Sequence, residues 1–318
     1  MTTSELIKDY LAARRAHGTR LRSGERALYQ FARETGDQPL TTVTPEAVAT
    51  FLRGRGDLSA TWTTRYQLLA GLYRFALARG HVSVSALPDQ RPKLPPPITP
   101  YVYSRAELKH LLDATNILES RISRLQALTY RALILTLYGS GMRVGEALRL
   151  NLADVDLAER VLTVHETKFY KSRLVPVGEQ LAAALVTYLQ RRSSLSMPQG
   201  TSSAFFASRT GHRLDYQRVV TLFQRVRTHA GIGCPPGACR PPRLHDLRHT
   251  AAVHRVLAWY QEGKDVQQLL PKLATYLGHA SIASTQRYLQ MTPELLQTAS
   301  LRFAAYAGTM EDEVADHA

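Results

Sequence analysis

Cysteine is nearly absent: Cys234 and Cys239, flanking the turn CPPGAC, are the only two in 318 residues. So low a cysteine content suits a reducing cytoplasm. Their spacing matches no standard zinc pattern, even with His229 and His245 nearby, so the expectation is a Pro/Gly loop carrying free thiols. Long apolar runs are missing as well. No stretch could span a membrane, and the start carries no secretory signal, so the expected location is cytoplasmic. There is no internal repeat. Acidic charge is short, with 26 Asp+Glu against 40 Lys+Arg, a net charge of +14 and a pI near 10.0. That surplus points to a polyanion, most simply nucleic acid. It is spread along the chain, since residues 1–90 carry twelve Lys+Arg and eight Asp+Glu.

What is present is a globular composition, 44% hydrophobic, in a chain long enough for two cores. Residues 3–17 repeat apolar side chains at helical spacing through Leu6, Ile7, Tyr10 and Leu11, and Gly18 ends the run. A second helix is expected over 21–34. Thr44 and Pro45 form an N-cap and first-turn pair that opens a third, to about Arg53. Ser59 caps a fourth, stopping at Gly80. The basic residues of this bundle are mostly arginine: Arg14, Arg15, Arg20, Arg22, Arg53, Arg55, Arg65, Arg74 and Arg79. Arginine suits phosphate and base-edge contacts better than lysine does. In PDQRPKLPPPITP, residues 88–100, six of thirteen positions are proline. That composition reads as an extended, stiff linker. Two domains strapped together in this way could close around a rod such as duplex DNA.

Beyond the linker, Ser104 caps a helix over 105–114, and an apolar helix follows at about 122–138. Gly139 and Gly141 are expected to end it, leaving Arg143 at the start of the next helix, an anion-binding position. Glu146, three residues on, could orient that arginine. Residues 152–177 alternate in the β manner and suggest a small antiparallel sheet. Lys168 falls at its second turn, with Lys171 and Arg173 close behind. Helices are expected over 179–192, 215–230, 244–259 and 265–277, the last ended by Gly278. Ser281 or Ser284 caps a short helix carrying Tyr288. An amphipathic segment spans 293–306, and an acidic tail closes the chain.

The C-terminal run from Arg243 to Gln290 concentrates reactive side chains. His245 and Arg248 are three apart and share a helical face. Arg248 can fork onto phosphate oxygens, and His245 and His279 can move protons near neutral pH. Tyr288 offers a phenol nucleophile. Converging, they would suit attack on a phosphodiester. Tyr170, Tyr260 and Tyr276 are the lesser alternatives to Tyr288.

In chain order these are Arg143 in GSGMRVGE, Lys168 in TKFYKSRLVPVG, His245 and Arg248 in HDLRH, His279 in LGH and Tyr288 in TQRYL. That order resembles the tyrosine recombinase, or phage integrase, family from about residue 104 onward, and more weakly before it. The resemblance implies a mainly α fold with a small antiparallel β-sheet. It implies an N-terminal four-helix core-binding (SAM-like) domain over 1–87 and a linker over 88–103. An α+β catalytic domain over 104–308 and a tail over 309–318 complete the expected layout. It implies that Arg143 and Arg248 grip the scissile phosphate, with Glu146 in support. His245 assists the nucleophile, His279 bonds a phosphate oxygen, and Tyr288 attacks phosphorus. A lysine protonates the leaving 5′ oxygen; Lys168 fits the spacing before the R-x-V-P strand, while Lys171 could also reach. Arg14, Arg15, Arg20, Arg22, Arg53, Arg55, Arg65, Arg74, Lys171 and Arg173 are the expected DNA contacts. No metal or cofactor is implied. The expected partner is double-stranded DNA with paired inverted core sites. A tetramer of this chain, or one shared with a partner recombinase, would assemble there through the C-terminal helix packing in trans. No arm-type domain is expected ahead of the bundle, and CPPGACRPP departs from the family pattern. Two rival readings use the same fold: a non-catalytic architectural DNA-binding protein, and a topoisomerase-like nicking-closing enzyme.

Overall fold

The computed structural model describes residues 1–278, apart from 19–20, 96–98, 122, 124, 166–171 and 239. Lys168, Lys171, His279, Tyr288 and the expected 293–306 helix lie outside the described residues. The chain divides into two compact units, Met1–Ile98 and Thr99–Ala318.

The first unit holds α1 (Thr3–Ala16), α2 (Arg22–Glu34), α3 (Pro45–Arg53) and α4 (Ala60–Ala78). Local chemistry sets their starts. Thr2 and Glu5 form a reciprocal capping box at α1, Thr44 caps α3 with Pro45 in its first turn, and Ser59 caps α4. Leu6, Ile7, Phe31, Phe51, Leu69 and Tyr73 meet in one apolar core. Phe31 and Phe51 pack edge to face with ring centres 5.1 Å apart. Such a pair adds about 1 kcal/mol beyond the area it buries. Gly71 lets α1 and α4 approach closely, since a Cβ there would collide with the Tyr10 hydroxyl.

The second unit is organised around α6 (Gln126–Ser140), which packs against α8 (Glu179–Ser193) and α10 (Asp246–Gln261). Buried side chains occur on every side of α6, and its hydroxyls are satisfied internally. Thr129 donates to the Leu125 carbonyl at 2.8 Å, and Thr136 to that of Ala132 at 2.8 Å. The helix starts four residues later than the apolar run suggests and continues through Gly139. Gly141, in the left-handed region at φ 62°, ends it. A glycine stops a helix where it adopts that conformation just past the end, and Gly139 does not.

Around this axis lie α5 (Arg105–Asp113), opened by a Ser104–Glu107 capping box, the single turn α7 (Val144–Ala147), and α9 (Tyr216–His229). A three-stranded antiparallel sheet follows the order β1 (Val155–Asp156), β2 (Val161–Val164), β3 (Arg173–Pro176). Its register pairs Val164 with Arg173 and Val161 with Pro176. Leu162, Val164 and Val175 point into the core, while Leu174 faces outward. Helix α11 (Val266–Leu277) is capped by Asp265, carries Pro271 within it, and ends at Gly278 with φ 68°. Val253 and Val256 of α10 form a separate apolar cluster with Leu270, Leu273 and Leu277 of α11.

Candidate active site

The loop between α6 and α7 delivers Arg143 to the N-terminus of α7. Its backbone N–H donates to Glu146 Oε2 at 3.0 Å, and its guanidinium donates to Oε1 at 2.8 Å. Arg173, the first residue of β3, approaches the same carboxylate, donating through Nη2 to Oε2 at 2.8 Å. Glu146 is therefore gripped from both sides, and its side chain is 4% exposed. Burial pushes this carboxyl up, but the Arg173 guanidinium, the Arg143 backbone and the Arg143 guanidinium outweigh burial and hold it at about 2. Two guanidiniums on one carboxylate leave positive charge over.

Helix α11 supplies the second fastening. Arg143 Nη2 donates to the Gly278 carbonyl at 3.0 Å, and Arg248 Nη2 donates to the Leu277 carbonyl at 2.6 Å. Arg248 also donates to the Gly141 carbonyl at 2.7 Å. The two arginines are thus hung on successive carbonyls at the negative end of one helix dipole. Gly278 is needed there twice over. Its left-handed φ frees the carbonyls, and a Cβ would press into the Arg173 guanidinium.

His245 sits on the residue just before α10, with its outer face open to solvent. The expected helix began at 244; it begins at Asp246. The Asp246 carboxylate takes the Arg243 backbone N–H at 2.8 Å and its guanidinium at 2.7 Å, turning the chain at that point. Partial burial, with the guanidiniums of Arg248, Arg243 and Arg143, pushes the His245 pKa below its ordinary 6.5, against an opposing pull from Asp246. The ring is thereby kept neutral and able to accept a proton. His249, one residue past Arg248, is buried, and burial lowers its pKa to about 4. That fits a structural side chain.

Arg143, Glu146, His245 and Arg248 are thus brought into one cluster, and Arg173 joins them. Expected to contact DNA, Arg173 has its guanidinium turned to Glu146, with its side chain 14% exposed. Arg173 reaches this place on β3, opposite Val164 of β2, and the R-x-V-P run beside the basic residues is the clue the sequence offers. Asp246 and Arg243 were not singled out from sequence either, although the acid between His245 and Arg248 in HDLRH was the available clue. Among the alternative phenols, Tyr276 donates to the Pro176 carbonyl at 3.0 Å.

In the first unit Arg14, Arg15, Arg53, Arg55 and Arg74 are exposed. Arg15 pairs with Glu25 at 2.7 Å. Arg65 is only partly exposed, because it donates to the Phe51 carbonyl at 2.7 Å and lies over the Phe51 ring. That contact ties α4 to α3. Arg22 opens α2, and Arg20 lies outside the described residues.

A groove of about 560 Å³ adjoins the cluster, lined by Tyr138, His254, Trp259, Leu269, Leu273 and Tyr276. Gly141 and Leu277, whose carbonyls hold Arg248, also line it.

A family model described as the phage integrase family matches residues 102–294. The chain is 37% identical over 308 residues to the "Putative integrase/recombinase y4rB" of Sinorhizobium fredii, covering 95% of this chain and 96% of that one. It is 33% identical over 309 residues to the tyrosine recombinase XerD of Mycobacterium leprae, covering 91% and 92%. Among solved structures, a lambda integrase tetramer bound to a Holliday junction superposes with TM-score 0.64 at 18% identity, covering 91% of this chain and 77% of that one. At that identity the likeness speaks for the fold.

Proposed function

The chain belongs to the phage integrase family of tyrosine recombinases, and on that premise we propose that it cleaves and rejoins duplex DNA at specific sites through a 3′-phosphotyrosine intermediate and a Holliday junction. One observation carries this reading: Arg143 and Arg248 are fastened to the successive carbonyls of Gly278 and Leu277. Guanidiniums held in that way lose little entropy on meeting a phosphate and need no rearrangement as charge builds on its oxygens.

The chemistry follows from the residues. Neutral His245 accepts the phenolic proton as the Tyr288 oxygen attacks phosphorus. The bond from phosphorus to the 5′ oxygen breaks, and that oxygen takes a proton from the Lys168 ammonium, with Lys171 as the alternative donor. Arg143, Arg248 and His279 bear the charge of the pentacoordinate state. Glu146 orients Arg143 and Arg173. A tyrosyl ester conserves the energy of the phosphodiester, so a 5′-hydroxyl can reverse the step without ATP. The exposed arginines of the first unit, Arg14, Arg15, Arg53, Arg55 and Arg74, would ride on the DNA backbone. The groove beside Arg248 would receive residues 293–306 of a neighbouring protomer, giving the tetrameric assembly.

The test uses a duplex selected by the full-length protein from a randomised library, placed twice on one plasmid. Recombinant circles are the expected product. Relaxed plasmid without recombinants would make the protein a nicking-closing enzyme. Tight binding with no cleavage would make it architectural.

A further inference from the structure

His165 is not among the residues the proposed chemistry uses, yet it stands at the root of the β2–β3 turn. The strand register pairs Val164 with Arg173, so the next pair outward is His165 and Ser172. Residues 166–171, with both candidate lysines, are the whole of the sequence between them. His165 Nε2 donates to Asp154 Oδ1 at 2.9 Å. Its other ring nitrogen, Nδ1, then accepts, and the Ser172 hydroxyl approaches it at 3.5 Å from the returning strand. Asp154 is a firm anchor: its side chain is 10% exposed, and its second oxygen takes the Asn151 backbone N–H at 2.8 Å. On the other strand, the residue after Ser172 is Arg173, bound to Glu146. A crevice of about 140 Å³ has Glu146, Asp154 and His165 together in its wall. Each end of the lysine-bearing segment is therefore fastened to an acidic side chain of the core.

We propose that His165, held by Asp154 and bridging to Ser172, is a positioning residue for the lysine that protonates the departing 5′ oxygen. The inference rests on the reading that a lysine of this segment is that acid. Proton delivery demands placement within hydrogen-bond reach, and a displacement of about 1 Å costs on the order of 10²-fold in rate. The imidazole tied to the Asp154 carboxylate fixes His165, the residue from which the lysine-bearing sequence departs.

The experiment compares oxygen and sulfur leaving groups on the selected duplex. In the second substrate sulfur replaces the bridging 5′ oxygen. A thiol has a pKa of about 8.5, so the thiolate departs without needing a proton. Cleavage is measured for wild type, Lys168→Ala, Lys171→Ala, His165→Ala and His165→Gln. His165 is 56% exposed, so its replacement leaves the core intact, and thermal melting checks this. The expected result is that His165→Ala cleaves the oxygen substrate about 10–100-fold slower and the sulfur substrate within about 3-fold of wild type. The variant of the acidic lysine should recover on sulfur in the same way, and His165→Gln should fall between. If neither lysine variant recovers on sulfur, the assignment of the acid falls and the proposal with it. If one lysine variant recovers but His165→Ala is unimpaired on oxygen, or stays slow on sulfur, the positioning role alone is overturned.

Discussion

Glu146 is the residue on which the cluster balances. Its carboxyl is 4% exposed and faces Arg143 and Arg173. Replacing it with Gln leaves two guanidiniums side by side, which costs on the order of 3 kcal/mol and lowers the thermal midpoint by about 5–10 °C. Because the folded carboxyl is held at about 2, below its ordinary 4.5, its contribution is complete above pH 4.5 and fades as pH falls towards 2. Calorimetry of Glu146→Gln against wild type should show the difference shrinking across that window. His249 adds a second acid-side loss. Its folded pKa of about 4 lies below the ordinary 6.5, so stability declines as pH drops from 6.5 towards 4, and His249→Gln should flatten that limb. Partial burial, together with its arginine neighbours, lowers the His245 pKa, so the acid limb of the cleavage profile should lie below pH 6.5 and vanish in His245→Ala. Arg248→Lys tests the fork. A lysine cannot serve the carbonyls of Gly141 and Leu277 and a phosphate together, and cleavage should fall about 10²–10³-fold.

At the scale of elements, the short sequence signals that mark ends were the readable ones. Thr44–Pro45, Ser59 and Ser104 open helices where their side chains predict, because capping is decided within four residues. The alternation over 152–177 likewise becomes the three-stranded sheet. Boundaries set by distant partners were less legible. Gly139 stays helical because the left-handed turn falls at Gly141, where a Cβ would strike Leu277, far away in the chain. Arg192 looks like a surface charge at the end of α8, but it is fully buried, donating to the carbonyls of Pro198 and Ala204. The site divides in the same way. Arg143, Glu146, His245 and Arg248 declare themselves by motif, whereas Arg173 is drawn in only by the pairing of β3 with β2. The groove between α6, α10 and α11 yields its own prediction. Ala251→Trp should fill it and weaken assembly on paired sites far more than binding to a single site, read by gel shift at matched protein concentrations.

Across the whole molecule the positive surplus of +14 supplies a long-range pull on a polyanion that is sensitive to salt. Arg53, Arg55 and Arg74 are exposed in the first unit and can be removed without touching its core. Replacing all three with Ala should weaken DNA binding and reduce the slope of log affinity against log salt by about 2–3. Among the described residues no helix is long and apolar enough to cross a membrane. The proposed chemistry requires DNA to become attached to one phenol. Wild-type protein is incubated with a nicked suicide duplex carrying the selected site, the adduct is digested, and the peptide bearing nucleotide is sequenced by mass spectrometry. Nucleotide on Tyr288, and none trapped by Tyr288→Phe, is the expected result. Attachment at Tyr276 or any other side chain, or an adduct undiminished in Tyr288→Phe, would contradict it.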